Sequence, residues 1–223
     1  MMIHKKNKVK NKFGELYTFM KINDDELRTM LIHLNVTNQN KALFLSHNKI
    51  TDNGFSILAK KLKYNDTIEH LILSDNAIQL GLLVEESIID LLKCNRKIKF
   101  FVLNNNNIDS TGAIHLGNAL KNNTKVKHVV LENNKIGDYG FIYLLNQIKD
   151  SHQLESLVCA GNRLSDLSIS FLINYIQKYN HLKLINIDGN NFADKKNVDH
   201  LQRIANQKNI VVKVGNTIKM TCV

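Results

Sequence analysis

The chain has 223 residues, 43% of them apolar, and its Lys and Arg exceed its Asp and Glu by ten. That length can bury one continuous core and leaves little room for a second domain. No window approaches the roughly eighteen apolar residues of a membrane-spanning helix. Three cysteines at no metal-like spacing speak for a reducing compartment rather than a disulfide framework. The basic excess implies a surface that attracts anions, and it says nothing about fold.

Residues 1–12, MMIHKKNKVKNK, read as a basic flexible tail; no apolar run follows the charges, so this is not a secretory signal. Residues 13–40 read as a helical N-terminal cap. Leu27, Met30, Leu31 and Leu34 share one helical face, Asp24 is placed to cap the helix, and Asp25 and Glu26 oppose its dipole in the first turn.

Residues 41–208 repeat six times. A marker Asn recurs at Asn48, Asn76, Asn106, Asn134, Asn162 and Asn190, with one constant interval that is lengthened by two only between Asn76 and Asn106. Each marker follows a short strand pattern (ALFL, HLIL, FFVL, HVVL, SLVC, LINI) and precedes by two an apolar residue: Ile50, Ile78, Ile108, Ile136, Leu164 or Phe192. Helical spacing then takes over, as in Phe141, Leu144, Leu145 and Ile148. A unit this short cannot bury its own apolar face and needs copies on either side. Asp52, Asp138, Asp166 and Asp194 stand four residues after their markers. The second unit lacks that Asp and is two residues longer, with Leu80, Leu82 and Leu83 in the turn; this reads as length drift that makes a bulge on the rim. In the sixth unit Asn197 and His200 replace core residues, so Val198, Leu201 and Ile204 are expected to take over. Residues 209–223 carry two apolar runs around Gly215 and Asn216, the pattern of a capping strand or hairpin that hides a sheet edge.

The V-x-x-V-x-L-x-x-N-x-I run at Val126–Ile136 and its copies resemble the leucine-rich repeat, and the 28-residue period with a full helix is similar to the ribonuclease-inhibitor subclass. The resemblance covers about residues 20–214. It implies an α/β solenoid, a right-handed horseshoe arc with a parallel sheet on the concave face and helices on the convex face. It also implies that the marker Asn residues form a structural ladder, hydrogen-bonding turn backbone that otherwise stays unpaired. Such a ladder should weaken at its last member, Asn190, which has fewer neighbours.

Strand alternation fixes what the concave face shows. Leu43, Leu71, Phe101, Val129, Leu157 and Ile185 point inward. Phe44, Ile72, Val102, Val130 and Val158 point outward in one row that ends at Asn186. Ala42, His70, Phe100, His128, Ser156 and Leu184 form a second outward row, and Glu132 and Asp188 fringe the sheet. An exposed apolar ladder of this kind marks a protein-binding surface, and Phe44 and Phe100 are of a type enriched at interface hot spots. The candidate partner-binding residues are therefore Phe44, Ile72, Phe100, Val102, His128, Val130, Glu132, Val158 and Asp188. Lysines on the helices and helix-to-strand loops read as a solvated convex face and rim.

No phosphate loop, paired-Cys metal motif, nucleophile elbow or His-Glu-x-x-His pattern occurs in the sequence. His70 and His128 lie two repeats apart, roughly 10 Å, too far to share a zinc. Cys159 takes an inward Leu position. The expectation is a protein without enzymatic activity, cofactor or metal, monomeric alone, with another protein as its partner and no specific nucleic acid. The resemblance implies an inhibitor or regulator of that partner. Abundant Asn and Lys point to an AT-rich coding sequence, and a cytoplasmic repeat protein of that kind is similar to effectors that intracellular bacteria deliver into the host cytosol; the partner would then be a host protein or another bacterial effector. Two alternatives stand beside this reading. One is a basic nucleic-acid or anionic-membrane binder. The other is a GTPase activator of the Ran-activating type, with Arg163 as its one suitably placed Arg.

Overall fold

The computed structural model describes residues 9–11, 14–33 and 41–215. Strands β1 (Val9–Asn11) and β2 (Gly14–Leu16) form a hairpin, and helix α1 (Asp24–His33) follows. Strands β3 (Ala42–Phe44), β4 (His70–Ile72), β5 (Phe100–Val102), β6 (His128–Val130), β7 (Ser156–Val158) and β8 (Leu184–Asn186) then alternate with six helices. Those helices are α2 (Asp52–Leu62), α3 (Glu85–Cys94), α4 (Ser110–Leu120), α5 (Gly137–Ile148), α6 (Asp166–Lys178) and α7 (Lys195–Gln207). Strand β9 (Val211–Lys213) comes last. The strands form one sheet in sequence order, parallel from β2 onward. Equivalent residues of successive repeats sit side by side: Leu43, Leu71, Phe101, Val129, Leu157 and Ile185 are in register and buried. Each helix is wider than a strand, about 10 Å against about 4.8 Å, so the sheet takes the short, concave side of the arc.

Residues 9–11, expected as part of a tail, pair into the sheet. β1 pairs antiparallel with β2, and β2 pairs with β3 as Gly14 to Ala42 and Leu16 to Phe44. The cap is thus a hairpin and a helix rather than a helix alone. The sequence carries the signal, since Leu16 stands one full repeat before Phe44, but Gly14 and Glu15 break the apolar alternation. Asp24 does not cap α1. Asn23 does, accepting from the Glu26 amide at 2.9 Å while the Glu26 carboxylate accepts from the Asn23 amide at 2.9 Å. Of the residues expected on the buried face of α1, Leu27, Met30 and Leu31 are buried, and Leu34 lies outside the described residues. So does the return half of the C-terminal hairpin. In the sixth unit Leu201 and Ile204 are buried and Val198 packs against the core, as expected.

The marker Asn residues build the ladder. The Asn106 amide donates to the carbonyls of Leu73 in the preceding repeat (3.0 Å) and of Leu103 and Asn104 in its own (3.1 and 3.0 Å). Its Oδ1 accepts from the Ile78 amide, again in the preceding repeat, at 3.0 Å. Asn48, Asn76, Asn134, Asn162 and Asn190 repeat the arrangement. The residue before each marker is left-handed throughout: His47, Asp75, Asn105, Asn133, Gly161 and Gly189. That kink turns the Asn inward. Asn190, the last member, is buried and accepts from the Asn162 and Leu164 amides. Asn48 is the more exposed end.

Two further ladders run beside the first. Asp24 accepts from the Thr51 amide, Asp138 from the Ser165 amide and Asp166 from the Ala193 and Asp194 amides, each reaching the helix start of the following repeat. At the opposite turn, Asn95 donates to the Leu62 carbonyl and Asn123 to the Leu92 carbonyl one repeat earlier.

The long second unit is held from both sides. Asp52 accepts from the amides of Gln79, Leu80 and Gly81 at 2.8–3.0 Å. His115, buried in α4, holds the Leu80 carbonyl through Nδ1 at 2.7 Å. A Cβ at Gly112 would stand 2.2 Å from the Gln79 oxygen, so only glycine admits the turn there. Leu80, expected in the bulge, is buried, while Leu82 and Leu83 are 77% and 83% exposed on a 3-10 turn, Leu82–Val84. Length drift would leave no such matched partners on both flanking repeats.

Asn106→Ala should lower unfolding free energy by about 1–3 kcal/mol in a urea melt, and Asn48→Ala by less, since water reaches its site. Gly112→Ala should cost about 1–3 kcal/mol through its clash with Gln79. Gly117→Ala, further along the same helix, would meet the Gln147 side chain at 3.3 Å and the Leu144 backbone only at an ordinary 3.5 Å, and should be neutral to about 1 kcal/mol stabilising in the same melt.

Candidate interaction surface

Because the strands are in register, the outward residues form straight rows. Phe44, Ile72, Val102, Val130 and Val158 lie side by side, each half-buried, and Asn186 ends the row. Leu16 of β2, also half-buried, extends it by one place at the other end. Six apolar side chains therefore span about 24 Å at the strand spacing.

The second outward row is a ring stack. His70 lies flat on Phe100 at 4.3 Å between centroids and 7° between planes, and His128 covers the other face of Phe100 at 4.2 Å and 18°. A phenyl ring thus stands between the two imidazoles. Ala42 and Ser156, expected to be outward in this row, are buried; Ser156 is a small side chain between His128 and Leu184. Both imidazoles titrate below the ordinary histidine value. Burial is the main cause for each, opposed by Glu69 at His70 and by Glu155 at His128 and reinforced by Lys99 and Lys127 respectively.

A third row precedes the strands. Lys99 bonds Glu69 at 2.7 Å, and Glu155 receives both Lys127 and Lys183 at 2.8 and 2.9 Å. These two lysines hold the Glu155 carboxyl down at about 2. The candidate set did not include this row, although a Lys or Glu stands immediately before every strand from β3 to β8. On the other side of the sheet, Phe19 stacks on His47 at 4.0 Å, and His47 faces Asp75 at 3.5 Å. Phe19 lies outside the candidate set too, although it holds the place of His47 one repeat earlier.

Of the candidate residues, Phe100, Val102, His128, Val130 and Glu132 come together on β5 and β6 or at their ends, with Val158 beside them on β7. The Glu132 amide is held by the Asn104 side chain at 2.9 Å. Ile72 and Phe44 continue the apolar row. Asp188 shares Glu132's position two repeats further on, at the edge of the patch. Arg163 is exposed on a turn, in left-handed conformation. Cys159 is buried, and burial pushes its thiol above the ordinary value. Among the described residues no three His, Cys, Asp or Glu side chains group as a metal site. No helix among them is long and apolar enough to cross a membrane.

The unit of strand, left-handed turn, buried Asn and helix, repeated in register, settles the architecture. The chain folds as a leucine-rich repeat solenoid. A family profile described as "Leucine Rich repeat" matches residues 122–145, the stretch from the end of the third repeat through β6 into α5. No curated protein sequence matches the chain. Among solved structures it is similar to the actin-binding site 2 of leiomodin-1, with 18% identity, a TM-score of 0.41, and 48% of this chain and 63% of that one covered. It is also similar to an internalin from Listeria monocytogenes, with 14% identity, a TM-score of 0.38, and 79% and 54% covered. The yeast Rad7 and Elc1 complex gives 17% identity, a TM-score of 0.27, and 78% and 62% covered. The leucine-rich repeat chain therefore spans less than two thirds of the length of each of these three.

The ring stack should make stability pH-dependent. Folding disfavours protonated His70 and His128, so their contribution is complete above the unfolded pKa, about 6.5, and is lost as pH falls toward the lower folded values. His128→Phe keeps a ring in the stack and removes one titration. Its melting temperature should fall less than the parent's between about pH 7 and pH 5; parallel curves would count against this assignment.

Proposed function

We propose that the chain is a non-catalytic protein-binding module that regulates or inhibits its partner through the concave sheet. The observation that carries this is the outward face of β4 to β7, where an apolar row and a His–Phe–His stack lie next to each other in water. Strand propensity explains exposed valines. It does not explain a phenyl ring sandwiched between two imidazoles on a solvent-facing sheet. Rigid aromatic groups at the centre of an apolar patch, ringed by charges, match the anatomy of a protein interface.

The 28-residue period and the helix of ten to thirteen residues in each repeat support the ribonuclease-inhibitor-like subclass. Free Cys94 and Cys159 support a cytoplasmic, reducing setting. The Lys- and Asn-rich usage supports an effector of an intracellular bacterium acting in the host cytosol.

Val130→Lys should change stability by no more than about 1 kcal/mol, since the side chain points out of the core. At an interface it would bury an unpaired charge among apolar neighbours and cost several kcal/mol of binding. In affinity capture followed by mass spectrometry, Val130→Lys should lose the partner that the parent recovers, and Lys60→Glu on α2 should retain it. The reverse pattern would move the interaction to the helices.

A further inference from the structure

We propose that the edge of the solenoid formed by the helix-to-strand turns is a docking face for an anionic membrane surface, separate from the concave sheet. Every helix from α2 to α7 runs from the end of one parallel strand to the start of the next, so all their C-termini and the turns after them lie along one edge. Residues 60–69, 90–99, 121–127, 149–155, 178–183 and 208 make up this edge and carry fourteen Lys and Arg against five Asp and Glu, in a chain whose whole excess is ten. The opposite edge is acidic where helices begin, as at Asp24, Asp25, Glu26, Glu85, Glu86 and Asp138.

The cations are periodic. Lys63, Lys93, Lys121 and Lys149 occupy one position at the helix ends, each one repeat after the last. A helix C-terminus accounts for some of this, because its dipole equals about half a negative charge. Half a charge does not account for the further cations in the turns, Arg96, Lys97 and Lys125. The row nearest the sheet is largely neutralised by Glu69 and Glu155, and Lys63 pairs with Asp90. Lys61, Arg96, Lys97, Lys121, Lys125 and Lys149 hold no ion pair among the described residues. Tyr64, 78% exposed on the same edge with the Lys63 ammonium 5.4 Å from its ring centre, supplies an amphipathic group suited to the headgroup layer.

The exposed Tyr64 among these cations favours a bilayer interface over nucleic acid. The unpaired charges recur at the helix ends and turns of successive repeats, so an extended anionic surface meets several of them at once. Each cation near an anionic leaflet adds to binding, and salt screens the sum within about 10 Å.

The test is co-sedimentation of the full chain with vesicles of phosphatidylcholine alone or with about 30% phosphatidylserine. Binding is expected only with phosphatidylserine and should weaken steeply with salt. Lys61→Glu, Lys97→Glu and Lys125→Glu combined should reduce it at least about tenfold while the melting curve stays near the parent's; if that variant fails to fold, Ala at the same three positions is read the same way. Val130→Lys should bind vesicles like the parent, which separates this proposal from the concave-face reading. A control with Lys5, Lys6 and Lys8 changed to Ser should lose no more than about threefold. The proposal is overturned if phosphatidylserine vesicles fail to bind at low salt, if the triple variant binds like the parent, or if the tail control loses as much. Tighter binding of duplex RNA than of vesicles at equal salt, abolished by the same triple variant, would assign the edge to nucleic acid instead.

Discussion

A turn that reverses the chain inside a solenoid buries backbone groups that neither sheet nor helix can pair. The marker Asn resolves this by giving its amide to carbonyls of two repeats and taking an amide from the earlier one. Each turn is therefore complete only when its neighbour is in place, and the buried Leu, Ile and Phe stack follows from that registration. The Asp residues at the helix starts and the Asn residues at the opposite turns extend the same logic to the other corners of the repeat. Hydrophobic burial supplies most of the stabilisation, but these polar contacts set the register in which it is collected.

The second unit shows how far the repeat can be distorted without breaking. Two added residues would leave the turn's amides and the Leu80 carbonyl unpaired. Asp52 from the repeat before, and Gly112 and His115 from the repeat after, absorb the change. A polar His in a helix face that elsewhere carries Tyr143 or Phe171 is explained by this neighbour and by nothing in its own repeat. The result is a stable turn that presents two leucines to solvent.

Most of the architecture was legible in the sequence because it is periodic: one spacing carried from Asn48 to Asn190 fixes strand, turn and helix together. The inward and outward assignments followed from alternation alone, and Phe44, Ile72, Val102, Val130 and Val158 do share one row. Single-repeat features were not legible. Whether Asn23 or Asp24 caps α1 depends on one residue of phase. Burial of Ser156 depends on the size of its lateral neighbours, His128 and Leu184. The stacking of Phe100 between His70 and His128 depends on ring orientation, which no spacing encodes. The hairpin before the first repeat was hidden by Glu15, which stands where every later copy carries an apolar, inward residue, and by the preceding Gly14.

A regular ladder poses a problem of address. Equivalent rows lie about 4.8 Å apart, so a ligand matched to one stretch of Val and Ile finds a near copy of the same surface after sliding by a single repeat. Among the described residues the His–Phe–His stack occurs once along the sheet, at β4 to β6, and the turn held by Asp52, Gly112 and His115 occurs once along the rim, in the repeat that β4 begins. Both break the translational symmetry within the same third of the array. A partner that reads either one has a single origin from which to count, and sliding by one repeat costs it that contact while leaving the apolar row nearly unchanged.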